Sequence, residues 1–195
     1  MTLIEKVKKL ISMAKFHNET QKFFDNFTGR QIYTFYQNTY IKEIVDFDFS
    51  KVTKLNNLCQ GCTALERVII NNEIATSWTN AFRSCSNLKS VKTLNWSNIG
   101  SGNGSSAFLG CTSLEELLCE PNTISTTINV EDCPLNKESV ESIAVGLIDN
   151  NGSGIGRTVY LNESIDTSDE EIAGYIAIML DKGWSVSIGG VEVTE

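Results

Sequence analysis

The chain has 195 residues, 41% hydrophobic and 21% charged, with a formal net charge of −8, a composition that describes a folded chain of one-domain size and not a disordered segment. The acidic balance excludes a nucleic-acid partner, because phosphate binding draws on clustered Lys and Arg and no basic stripe occurs. No apolar run approaches the ~18 residues that a membrane-spanning helix needs, so no transmembrane segment is expected.

Residues 3–14 place Leu3, Ile4, Val7, Leu10, Ile11 and Ala14 on one helical face, with Glu5, Lys6, Lys8, Lys9 and Lys15 on the other. Charge interrupts the apolar residues too often for a secretory signal. This helix opens an N-terminal unit over 1–30, and two readings of it stay open. It caps the fold, with Phe16, Phe23, Phe24 and Phe27 beneath it. Or residues 3–16 form an amphipathic contact with a partner subunit, a larger assembly or a membrane surface.

Over 31–143 the chain repeats itself. CQGCTALERVII, FRSCSNLKSVKTL and FLGCTSLEELLCE each carry a Cys, a Leu three residues later, and Val or Leu three further on. Cys62, Cys85 and Cys111 lie 23 and 26 apart, the longer interval holding the insert GSGNGSS at 100–106. Phe35, Asn38, Ile41 and Ile44 fit the same columns upstream, and Val130, Cys133 and Leu135 fit them less well downstream. A period of this length predicts an α/β solenoid of about five stacked units, in which each unit buries its apolar face against its neighbours.

The strand in each unit points its Leu and Val columns inward, so alternate positions face out. Glu43, Arg67, Ser90 and Glu116 then form one exposed row, and Val45, Ile69, Lys92 and Leu118 the next. These eight residues are the candidate binding surface. Three large apolar residues in line on a wet face point to partner binding. The 100–106 insert is expected as a loop on the opposite side.

Cys59 and Cys62 have C-x-x-C spacing, but the register puts both in core columns, Cys59 where other units carry Phe82 and Phe108. No second pair converges on them, so the six cysteines read as buried thiols, without a metal or other cofactor.

Residues 144–195 read as a C-terminal cap of alternating helix and strand. Asn136 starts a helix to about Ile148, and Arg157–Leu161 alternates as a strand. Thr167 or Ser168, followed by three acidic residues, starts a second helix that ends at Gly183. Trp184–Ile188 is the last strand, with Trp184 sealing the core. Asp149 to Gly154 imitates the start of a calcium loop, yet the twelfth position is Tyr160 where a bidentate Glu is required. The glycines at 152–156 precede a strand, the reverse of a phosphate loop. His17 is the single histidine; with no paired nucleophile or metal set around it, the sequence reads as non-enzymatic.

The pattern A-F-x-x-C-x-x-L-x-x-V, at Ala81–Phe82–Cys85–Leu88–Val91 and Ala107–Phe108–Cys111–Leu114–Leu117, resembles the BspA-type leucine-rich repeats of bacterial surface proteins. DCPLNKESVESIAVGL (132–147) and TSDEEIAGYIAIMLDKGWSVSI (167–188) resemble the closing segment of bacterial and phage-encoded members. The resemblance spans about 31–189. The proline-bearing segment after the strand is missing from the central repeats, and the first thirty residues match nothing in the family. It implies a leucine-rich-repeat right-handed coil closed by a C-terminal helix–strand cap, to which the N-terminal helical cap read from residues 1–30 is added. It also implies a surface or adhesion module that binds a protein or glycan at the cell surface. The alternative is a phage or prophage tail or fibre component in a virion, joined to its assembly through the N-terminal helix.

Overall fold

The computed structural model describes residues 35–45, 47–70 and 72–194. The expected N-terminal unit, including residues 3–16, the four phenylalanines beneath them and His17, lies outside the described residues.

Four short strands, β1 (Glu43–Ile44), β2 (Arg67–Ile69), β3 (Ser90–Leu94) and β4 (Glu116–Cys119), pair in parallel in that order to form sheet 1. Sheet 2 holds β5 (Ile128–Asn129), β6 (Thr158–Leu161), β7 (Ser185–Ile188) and β8 (Val191–Val193), the last pair antiparallel. The helices are α1 (Lys137–Gly146) and α2 (Glu170–Asp181). Among the described residues no helix is long and apolar enough to cross a membrane.

Inside sheet 1, Ile44, Val68, Val91 and Leu117 stack across the four strands and are fully buried. Leu65, Leu88 and Leu114 are buried with them. Each such side chain contributes about 1.5–3 kcal/mol of transfer free energy. The turns before the strands add a second layer. Phe82 stacks on Phe108 at 5.8 Å and Trp96 on Phe108 at 6.1 Å, with Trp78 tilted against both Phe82 and Trp96. The 100–106 insert closes over this layer: Gly104 is buried so tightly that a β-carbon there would lie 2.7 Å from the Trp96 ring.

The thiols of the Cys column donate backwards along the stack. Cys62 Sγ donates to the Phe35 carbonyl at 2.7 Å, Cys85 to Cys59 at 2.9 Å and Cys111 to Phe82 at 3.1 Å. Asn38, in the same column of the first unit, instead accepts the Tyr40 and Ile41 N–H groups on its Oδ1.

The expected α/β solenoid, one leucine-rich-repeat right-handed coil of about five repeats with helical and helix–strand caps, is corrected. The chain forms two four-stranded sheets of mostly parallel strands, with two helices among the described residues. The fifth unit supplies the physical reason. Val130 and Cys133 do enter the core, but no strand follows them; Pro134 intervenes and α1 begins instead. Asn136 caps that helix by accepting the Ser139 N–H. The free edge of β4 then meets helix hydroxyls where a fifth strand would have paired. Leu117 N–H donates to Ser139 Oγ and Cys119 N–H to Ser142 Oγ, both at 2.8 Å. A similar stop occurs along the turns. Gln37, Gly61 and Ser84 donate to the carbonyls of Gln60, Arg83 and Leu109, each at 2.8 Å. The last donor, Gly110, meets the Asp132 carboxylate at 2.7 Å.

In sheet 2, α2 is capped by Asp169, which accepts the Glu171 and Ile172 N–H groups. Lys182 reaches from its end to the carbonyls of Ala144, Val145 and Leu147 at 2.9, 3.3 and 2.7 Å. That places a cation at the C-terminal end of α1, where the helix dipole favours it. Trp184 is buried and donates to the Ile148 carbonyl at 2.9 Å. The Asp149–Gly154 segment is a turn organised by buried Asn150, which donates to the carbonyls of Ile155 and Gly183. The β7–β8 hairpin, absent from the sequence reading, turns on Gly189 and Gly190 at φ 54° and 80°, the left-handed pair that such a turn demands.

Candidate functional site

Parallel pairing brings the first candidate row together on the outer face of sheet 1. Glu43 pairs with Arg67, Arg67 with Ser90, and Ser90 with Glu116. The side chains interact across the strands. Arg67 Nη2 lies 3.2 Å from Glu43 Oε2, and Ser90 Oγ donates to Glu116, whose other oxygen lies 2.8 Å from Lys92 Nζ. The Lys92 and Ser90 hydrogen bonds hold the Glu116 carboxyl below its ordinary 4.5.

A parallel row stands one residue upstream and was missed in the sequence reading. Glu66 sits between two cations, 3.0 Å from Lys42 and 3.5 Å from Lys89. The Lys42 hydrogen bond, then the charges of Lys42 and Lys89, hold the Glu66 carboxyl below 4.5. With exposed Glu115 this row reads Lys42, Glu66, Lys89, Glu115, alternating in sign unit by unit. That alternation was legible in the aligned repeats once the column before each strand was read. Lys42, Ala64, Glu66, Asn87 and Lys89 line a shallow open depression there.

The structure places the second candidate row less openly. Val45, Ile69, Lys92 and Leu118 are all half-buried, and none of the three apolar members stands among the exposed large hydrophobics. Ile69 and Lys92 are paired, but the register shifts between Val91 and Leu94. Thr93 occupies this bulge at φ 60°, an uncommon conformation for a β-branched residue. Its hydroxyl lies 3.0 Å from the Ile70 carbonyl and 2.7 Å from that of Lys92. Just before β1, Tyr40 is 90% exposed; no sequence signal had separated it from the core aromatics.

The outer face is thus polar and internally charge-compensated. Among the described residues no group of three His, Cys, Asp or Glu side chains is placed to hold a metal ion. Comparison with protein-family models, curated proteins and solved structures returned no match.

Proposed function

We propose that this chain is a non-enzymatic binding module, of the surface or adhesion type, whose outer face of sheet 1 docks a protein partner. The observation that carries the reading is the two-row charge pattern, Lys42–Glu66–Lys89–Glu115 beside Glu43–Arg67–Ser90–Glu116. It is fixed in register by the strand pairs and by ion pairs at 2.8–3.5 Å. A surface of alternating sign adds little long-range attraction, but it selects a partner whose charges match its spacing and repels one that is out of step.

A protein is favoured over a glycan. Neither charged row contains an aromatic ring on which a sugar could stack, whereas Tyr40 at the rim is the kind of amphipathic side chain that anchors protein interfaces. The half-buried Val45, Ile69 and Leu118 add apolar area in the row beside the charges.

The test uses immobilised wild-type chain and a Glu66→Lys variant, which sets three cations side by side. Both are offered a detergent extract of the source cells and a glycan array. Retention of a discrete protein by wild type and its loss with Glu66→Lys supports the reading. A discrete glycan signal, or protein retention unchanged by Glu66→Lys, overturns it.

A further inference from the structure

The turn Cys59-Gln60-Gly61-Cys62 is, among the described residues, the one turn that carries two thiols. Its backbone matches its neighbours: Cys62 N–H donates to the Cys59 carbonyl at 2.9 Å, as Cys85 does to Phe82 and Cys111 to Phe108 at 3.0 Å. In those neighbours the first position is a phenyl ring, and the two rings stack. Here a sulfur replaces the ring, and both sulfurs of the turn are buried. A turn closed from i to i+3 keeps its end Cα atoms within about 7 Å, close to the ~4.4–6.8 Å that a disulfide spans. The pair can therefore be bridged without unwinding the turn.

We propose that Cys59 and Cys62 form a thiol–disulfide exchange site for low-molecular-weight disulfides of the glutathione type. Cys62 is the attacking group. The neighbouring Cys59 thiol draws the Cys62 thiol below the ordinary 9.0, against the opposing effect of burial, with help from the Asn38 backbone. Burial pushes Cys59 well above that value, which suits it to remain protonated until the second step. The Cys62 thiolate attacks one sulfur of the disulfide RSSR, forming Cys62–S–S–R and releasing RS⁻. Cys59 then loses its proton and attacks the Cys62 sulfur, forming the Cys59–Cys62 bond and releasing the second RS⁻. Both protein protons end on the two RSH products, and the two electrons lost by the cysteines reduce RSSR.

Both thiols are buried, so exchange proceeds when the first unit opens. That unit is held by the Phe35 and Gln37 N–H groups on the Leu58 and Gln60 carbonyls, at 3.1 and 2.8 Å. Oxidation also removes the Cys62 S–H that is donated to the Phe35 carbonyl. The bridge thus reports on, and weakens, the attachment of the first unit.

The test incubates the full chain with glutathione disulfide at pH 8, alkylates after denaturation and maps the peptides by mass. The expected product holds one disulfide, between Cys59 and Cys62, with the other four of the six cysteines alkylated. Cys59→Ser should stop at glutathionylated Cys62, and Cys62→Ser should leave Cys59 free. The wild-type map decides the pairing even where a variant folds poorly. Were reactivity governed by exposure alone, half-buried Cys119 would be modified first. That result, a different pairing, or six unmodified thiols overturns the proposal.

Discussion

Replacing Ser139 with alanine removes the oxygen that ends sheet 1. Ser139 is fully buried. Its hydroxyl accepts Leu117 N–H at 2.8 Å and lies 3.0 Å from the Glu115 carbonyl and 2.7 Å from Asn136 Oδ1. Alanine leaves the Leu117 N–H without a partner, and a buried orphan donor costs about 1–3 kcal/mol. Better helix propensity returns up to ~0.5 kcal/mol. The net expectation is a loss of about 0.5–3 kcal/mol, which corresponds to roughly 1–12 °C in Tm for a chain of this size. Urea unfolding followed by circular dichroism measures it, with an unchanged slope and a lower midpoint. Ser142→Ala is the graded control. Ser142 serves Cys119 N–H at a half-buried position, so it should cost less, about 0.5–1.5 kcal/mol. A Ser139→Ala variant within ~0.5 kcal/mol of wild type would refute the argument that helix hydroxyls close the sheet edge.

Other substitutions test separate parts of the fold. The indole N–H groups of Trp78 and Trp96 are buried with no hydrogen-bond partner among the described residues. Trp78→Phe should therefore cost little, under about 1.5 kcal/mol by urea unfolding, because relief of the orphan donor offsets lost volume; a loss above ~3 kcal/mol would contradict this. Lys182→Met leaves the carbonyls of Ala144, Val145 and Leu147 without their cation and should cost about 1–2 kcal/mol, seen also as faster amide exchange in the last turn of α1. Glu66 and Glu116 have folded pKa values lowered from 4.5. Their contribution to stability is therefore fully present above 4.5 and lost as pH falls through the lowered folded values. Carboxyl carbon NMR titration should put both midpoints below 4.5, and a midpoint above it for either residue would remove the ion-pair assignment.

Much of the local structure was legible because burial and pairing obey the repeat. Ile44, Val68, Val91 and Leu117 share one column in the sequence and one buried ladder in space. Asn136 and Gly183 marked a helix start and a helix end by their ordinary cap chemistry. The end of sheet 1 was legible only in part. The poorer match of Val130, Cys133 and Leu135 and the frame shift at Pro134 marked where the pattern fades, but not that the backbone donors of β4 turn to Ser139 and Ser142. A column of apolar residues reports what is buried, not which strand receives a hydrogen bond. The exposed row was read from alternation alone, which located Glu43, Arg67, Ser90 and Glu116. It could not foresee the bulge at Thr93, nor that Val45, Ile69 and Leu118 would be half covered. Lys42, Glu66 and Lys89 escaped notice because they lie just outside the strands.

The most direct test of the docking face is photo-crosslinking in extracts of the source cells. A photoreactive residue is placed at Ser90, in the middle of the charged rows, or at Ser168, an exposed position before α2. The docking account predicts one discrete protein adduct from position 90 and none from position 168. An adduct from position 168 alone, or the same adduct from both, would contradict it.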